Sequence, residues 1–282
     1  MDNNNLVLSR LFTQYIFEDL ITNYQNNIYR TVVQRYLNVD SEVNNGELIH
    51  KIYKYMLKNY RNEYFYQNTL FNKLLLGRHS LNTTTALTQV PIGKSKADFV
   101  MINGKAIVYE IKTELDSFER LSTQVADYFK AFNHVCVVTC EDNYKKLSAI
   151  LENTSVGIYV LSNRNTLQLK RAPQEYNANL NYEVLFKLLR KREFENIIFD
   201  YYGKLPETTP VFFYDECYRW FSQIEIGEAY RKVLKELKKR NNIIKEYFSE
   251  VPYELKSLMY FYNARKTDYI KLSKFLSDTY RR

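Results

Sequence analysis

Residues 97–113 constrain the fold of this chain more than any other stretch. Ala97 to Ile102 (ADFVMI) and Lys105 to Thr113 (KAIVYEIKT) are rich in β-branched and aromatic residues, and the Asn103-Gly104 pair between them is the strongest short-range hairpin signal. The letters predict two antiparallel strands. In the second strand side chains alternate, so Val108, Glu110 and Lys112 share one face and Ile107, Tyr109 and Ile111 the other. Register decides whether Asp98 joins the charged face. A two-residue loop at Asn103-Gly104 pairs Ile102 with Lys105 and turns Asp98 away from Glu110. A three-residue loop of Ile102-Asn103-Gly104, with Gly104 left-handed in a bulge, pairs Met101 with Lys105 and Asp98 with Val108, and returns Asp98 to the face of Glu110 and Lys112. The bulged turn is the expectation, because it brings the carboxylates together.

Two carboxylates and a lysine on neighbouring strands are what metal-dependent phosphodiester cleavage requires. Asp98, Glu110 and the main-chain carbonyl of Ile111 make a hard-oxygen set suited to Mg²⁺, which keeps several waters and bridges to phosphate. Mn²⁺ is expected to substitute. A bound metal neutralises phosphate and acidifies an attacking water, and Lys112 is placed to orient that water or to stabilise the phosphate as a point charge. The same letters also fit a surface ion pair, since Glu and Lys two apart on a strand are common.

The helix that follows adds to the pattern. Leu121, Val125, Tyr128, Phe129 and Phe132 recur at helical spacing, with Asp116 and Glu119 placed to cap the start, and Arg120, Gln124 and Tyr128 lie one turn apart on a bordering stripe. Asp98, Glu110-Ile111-Lys112 and this helix resemble the PD-(D/E)XK nuclease superfamily, the restriction-endonuclease-like fold. Gln124 and Tyr128 match the QxxxY motif of its RecB-like branch. The position before the first aspartate, proline in the family pattern, is Ala97 here. The resemblance covers the middle of the chain. It implies Asp98 and Glu110 as metal ligands, Lys112 and Gln124 as catalytic residues, Tyr128 and Arg120 as substrate-binding residues, and a further acid from a preceding helix. Glu63, in the segment Asn62 to Leu76 (NEYFYQNTLFNKLLL), is the candidate for that acid as both metal ligand and catalytic residue, with Glu47 as the fallback. A first-turn glutamate favoured by the helix dipole reads the same way.

Composition fits this reading without deciding it. The net charge of +8 favours a polyanionic partner. Tyrosine and phenylalanine number 26 and 17, and rings among lysines can stack on bases, though most are expected to pack. Cys136 and Cys140 lack the spacing of a zinc knuckle or a redox pair and read as buried thiols. His50, His79 and His134 are too scattered for a ligand set, and seven glycines leave little room for a phosphate-binding loop. No leader or membrane-spanning run is visible, so a soluble cytoplasmic protein without membrane association is expected.

The expected organisation is α/β: a mixed β-sheet flanked by helices, a restriction-endonuclease-like core at 61–172, between helical regions at 1–60 and 173–282. In the first, Leu11, Tyr15, Ile16 and Leu20 are spaced for one amphipathic face and Leu48, Ile49, Ile52, Tyr53, Met56 and Leu57 for another. Gly77 reads as a helix stop. After Pro173 helices are expected over Tyr182 to Phe199, Tyr214 to Phe221, Ala229 to Phe248 and Tyr253 to Tyr280, with basic runs Lys187 to Arg192 and Lys235 to Arg240. The C-terminal region is the candidate surface for a homodimer or a protein partner. The functional expectation is a Mg²⁺-dependent nuclease acting on nucleic acid, DNA before RNA, in a bacterial-defence or mobile-element setting that the resemblance suggests. The alternative is a catalytically inactive nucleic-acid or protein-binding module on the same fold.

Overall fold

The structure is a computed structural model that describes residues 5–39, 42–241 and 243–280. Residues 1–4, 40–41, 242 and 281–282, which fall in the expected terminal regions, lie outside the described residues. In chain order the elements begin with α1 (Leu6–Leu11), α2 (Gln14–Asn23), α3 (Asn27–Tyr36), α4 (Asn45–Asn59) and α5 (Glu63–Leu70), which continues as a π-helical stretch over Phe71–Leu76. Then come β1 (Thr85–Ile92), β2 (Ser95–Asn103), β3 (Lys105–Lys112), α6 (Leu121–Tyr128), β4 (Val135–Cys140), α7 (Glu141–Ile150), β5 (Gly157–Leu161) and β6 (Leu167–Arg171). The chain closes with α8 (Tyr182–Lys187), α9 (Lys191–Tyr202), α10 (Phe213–Phe221), α11 (Ile226–Lys238), α12 (Lys245–Phe248), α13 (Lys256–Phe261) and α14 (Lys266–Ser277). The fold is therefore α/β, with a mixed sheet flanked by helices. No helix among the described residues is long and apolar enough to cross a membrane.

Two compact units share the chain. The first comprises residues 1–79, 113–115 and 242–282, and the second 80–112 and 116–241. The expected C-terminal region is thus divided between them at residue 241.

The first unit is helical. The α4 stripe of Leu48, Ile49, Ile52, Tyr53 and Met56 is buried as its spacing predicts, each large apolar side chain contributing about 1.5–3 kcal/mol. Asn44 caps α4 by accepting from the Glu47 N–H at 2.8 Å, and its amide donates back to the Glu47 carboxylate at 3.2 Å. Glu47 is therefore an exposed capping residue. The first expected stripe is broken, because α1 ends at Leu11 and α2 restarts at Gln14, which leaves Tyr15 78% exposed. The start of α4 is knitted to the end of α14 and the segment after it here: Asn45 Nδ2 donates to the carbonyls of Phe275 and Asp278 at 3.0 Å, and the Tyr280 N–H to the Val43 carbonyl at 2.9 Å. Gly77 is right-handed, with φ −84°, so it does not stop the helix through a left-handed cap.

The second unit is built on the sheet, in which the strands stand in the order β1-β2-β3-β4-β5-β6. The pairs β1/β2, β2/β3 and β5/β6 are antiparallel, and β3/β4 and β4/β5 parallel. All of β4 is buried, as a parallel strand covered on both faces should be. Val100, Val108, Val137 and Val160 meet Leu121, Val125 and Phe132 around α6 and Phe186, Phe194, Phe221 and Val233 from α8 to α11 in one core. The strand β6 was not foreseen from the letters. Its sequence, LQLKR, is an exposed edge with Leu169 on the surface, and offers too little apolar alternation to be seen.

Of the expected C-terminal helices, Tyr214 to Phe221 stands as α10, and the three longer ones are each interrupted. At the break between α8 and α9 the Glu193 carboxylate accepts from the Arg190 N–H at 2.7 Å, and left-handed Gly203 closes α9. Arg240 then binds Glu193 through both Nε, at 2.7 Å, and Nη2, so that a residue of each basic run shares one carboxylate. Lys187 pairs with Glu183, and Lys239 with Glu236. Much of the positive charge in these runs is spent inside the unit.

Candidate active site

The hairpin corrects the expected register. Ile102 pairs with Ala106 and Asn103 faces Lys105 across Gly104, in place of the expected pairing of Met101 with Lys105. Gly104 is left-handed, with φ +70°, as expected. The pairing runs up to Phe99 and Tyr109, so the same register carried one step on sets Asp98 opposite Glu110, not Val108. The two differ by a shift of two residues, which preserves the side-chain face. The convergence of Asp98 with Glu110 survives; the turn that was to produce it does not.

Beyond Tyr109 the strand β3 keeps β4 as its partner, with Glu110, Ile111 and Lys112 beside Val137, Val138 and Thr139. Side chains take over on the β2 side. The Ile111 N–H donates to Asp98 Oδ2 at 2.8 Å, and the Lys96 carbonyl accepts from the Tyr128 hydroxyl at 3.0 Å. The carboxylate of Asp98 thus holds a backbone donor at the point where strand pairing gives way.

Glu110 is 2% exposed and sits at the centre of the cluster. Its Oε1 lies 3.0 Å from Lys112 Nζ and accepts from Gln124 Nε2 at 2.5 Å, while its Oε2 accepts from the Tyr128 hydroxyl at 2.5 Å. Gln124 Oε1 in turn accepts from Lys112 Nζ at 2.9 Å. The Gln124 amide therefore bridges cation and anion, its oxygen on the lysine and its nitrogen on the glutamate. Thr139 fixes the backbone below by donating to the Lys112 carbonyl at 2.7 Å. Burial first, and then the negative charge of Glu110, push the Tyr128 phenol far above its ordinary value, so it remains a donor across the neutral range.

A family model described as "Bacteriophage P4 protein cII" matches residues 56–272, more than half of the chain. The chain belongs to the bacteriophage P4 protein cII family. No curated protein and no solved structure matches it. The matched span of this cII-family chain contains Asp98, Glu110, Lys112, Gln124 and Tyr128.

Arg120 is exposed at the start of α6, where it occupies the N-cap position without a side-chain cap. The expected cap by Asp116 and Glu119 is corrected: α6 begins only at Leu121, because Phe118, buried and with Lys146 5.4 Å from its ring, anchors the preceding segment as a turn. Tyr128 is wholly buried, so its hydroxyl serves Glu110 and not the surface at which substrate contact was expected. Glu63 belongs to the first unit, exposed in the first turn of α5. No group of three or more His, Cys, Asp or Glu side chains placed to hold a metal occurs among the described residues. Asp98 and Glu110 are the two carboxylates here, and both already accept hydrogen bonds from the protein.

Sequence reasoning missed Asp127, a carboxylate three residues after Gln124 on α6. Its one local signal was its place next to the motif tyrosine. The cluster also makes a stability prediction. Tyr128→Phe is expected to lower the unfolding free energy by about 1–3 kcal/mol, because Glu110 Oε2 and the Lys96 carbonyl lose their donor. Urea unfolding of the variant checks this, and an unchanged midpoint would contradict the hydrogen bond.

Proposed function

We propose that this cII-family chain is a metal-dependent nuclease that hydrolyses phosphodiester bonds of DNA, on a restriction-endonuclease-like core. The observation that carries the reading is the meeting of Glu110, Lys112, Gln124 and Tyr128 in one hydrogen-bonded cluster, with Asp98 on the adjoining strand end. Residues singled out by a nuclease motif in the sequence come together in space, on two strands and the helix that follows them. A surface ion pair would not need Gln124 or Tyr128.

In this reading Asp98, Glu110 and the Ile111 carbonyl hold Mg²⁺. When bound, the ion neutralises a substrate phosphate and lowers the pKa of a coordinated water. Lys112 supplies a positive charge beside the reacting phosphate, and its ammonium is aimed by Glu110 and Gln124. Gln124 bonds to both members of the lysine–glutamate pair, and Tyr128 holds the far oxygen of Glu110. The phage description of the family supports the mobile-element setting.

A second reading, an inactive binding module on the same fold, is favoured by one observation: Glu110 is buried with both oxygens already engaged. One assay separates the two. Purified protein is incubated with single-stranded DNA, duplex DNA and RNA, with Mg²⁺, Mn²⁺ or chelator, beside Asp98→Ala and Lys112→Ala checked for folding by melting. The nuclease reading expects cleavage with metal, none with chelator, and none by folded variants. Equal cleavage by the variants, or none by the wild type, sinks it.

A further inference from the structure

Gln124 and Tyr128 can grip Glu110 only if α6 is held at the right height above the sheet. The residue between them, Asp127, is 5% exposed and ties the helix to the tight turn joining β1 and β2. Its Oδ2 accepts from the Ser95 hydroxyl at 2.8 Å and from the Lys94 N–H at 3.2 Å, and its Oδ1 accepts from Lys130 Nζ at 2.7 Å. The turn is shaped to receive it. Ile92 pairs with Ser95, leaving Gly93 and Lys94 as the loop, and Gly93 is left-handed with φ +60°. A Cβ at Gly93 would fall 2.9 Å from Asp127 Oδ1, closer than side chains tolerate, so the glycine gives the carboxylate room. Burial alone would raise the Asp127 carboxyl, but hydrogen bonds from Lys130 and Ser95 outweigh it and hold the group below the usual carboxylate range. The contact is therefore ionic at neutral pH, and weakens only as pH falls through that lowered value.

The strand that receives Asp127 is β2, which also presents the Lys96 carbonyl to Tyr128 and carries Asp98. Helix and strand thus bring the two halves of the site, and Asp127 joins them outside it. We infer that Asp127 is a positioning residue: its carboxylate latches α6 to the β1–β2 turn and sets the reach at which Gln124 and Tyr128 hold Glu110 and Lys112. The kinetic consequence rests on the nuclease reading; the geometric one does not.

The test has an arm for each. In the full chain, isotope-labelled at glutamine nitrogen, the side-chain amide of Gln124 is assigned with Gln124→Ala. Asp127→Ala is expected to displace the Gln124 amide resonances, and Asp127→Asn to leave them near their wild-type positions, since an amide oxygen can still accept from Ser95 and Lys94. In Mg²⁺-dependent DNA cleavage, Asp127→Ala is expected to lower kcat roughly tenfold with KM within about twofold, as small misplacements at a reacting centre do, and Asp127→Asn to restore most of it. In a Gln124→Ala, Tyr128→Phe background the same Asp127→Ala change should add little, because its effect passes through those side chains. Gln124 resonances unmoved in folded Asp127→Ala protein, or full additivity in that background, overturn the inference. If Asp127→Ala does not fold, Gly93→Ala presses a methyl group on the same carboxylate and must displace the same resonances. A wild type that fails to cleave DNA removes the nuclease reading, and the resonance arm still decides the latch.

Discussion

Lys112→Met is expected to destabilise the protein by about 3–5 kcal/mol, while the double variant Glu110→Gln, Lys112→Met returns to within about 1 kcal/mol of the wild type. The reason is burial. The Glu110 and Lys112 side chains are 2% and 10% exposed and their charged atoms lie 3.0 Å apart. Removing the lysine leaves a carboxylate in the interior with only the Gln124 amide and the Tyr128 hydroxyl to compensate it. Removing both charges leaves a glutamine whose oxygen and nitrogen can reuse those neighbours. Urea unfolding of the two variants gives the answer. If the double variant is no more stable than Lys112→Met, the lysine acts through packing and the charge argument fails. Both variants are expected to lack cleavage, so recovery of stability without recovery of activity separates the two roles of the pair.

Asp98→Asn has the complementary signature. Its amide oxygen can still accept from the Ile111 N–H, so the strand end stays closed and unfolding should change by less than about 1 kcal/mol. What is lost is a negative charge facing the proposed ion. Single-turnover cleavage with Mg²⁺ is expected to fall roughly 10³-fold, the scale found when a charge-stabilising group is removed from an active site. A rate within about threefold of wild type would remove Asp98 from the proposed ligand set.

How much of this could be read from the letters depended on whether the signal was local. The alternation in KAIVYEIKT put Glu110 and Lys112 on one face, and the Asn-Gly pair placed a left-handed residue at Gly104. Both depend only on neighbours in the chain. The partner of Asp98 depends on loop length, for which Asn-Gly allows several values, and the register moved by two residues. Parity was preserved, since a shift of two residues leaves every side chain on its own face. Helical spacing likewise found the buried stripe from Leu121 to Phe132, but not the start of α6, which a distant lysine and a buried Phe118 delay to Leu121. The interruptions at Leu11, Arg190 and Asn263 were invisible for the same reason: apolar periodicity continues across them while the backbone does not. Asp127 was overlooked because an acid on a helix reads as solvated until the turn it binds is known.

The order in which the two units occur along the chain bears on how the protein is made. Apart from 113–115, the sheet unit is an unbroken insertion within a helical unit that needs segments from both sides of it, since Asn45 and Val43 bind Phe275, Asp278 and Tyr280. Its strands also stand side by side in the order of synthesis, so each new strand finds its partner already present. A ribosome therefore releases everything the Glu110 cluster requires before it has translated the residues that close the first unit. The sheet unit can assemble on a nascent chain whose helical unit is still waiting for its C-terminal strap.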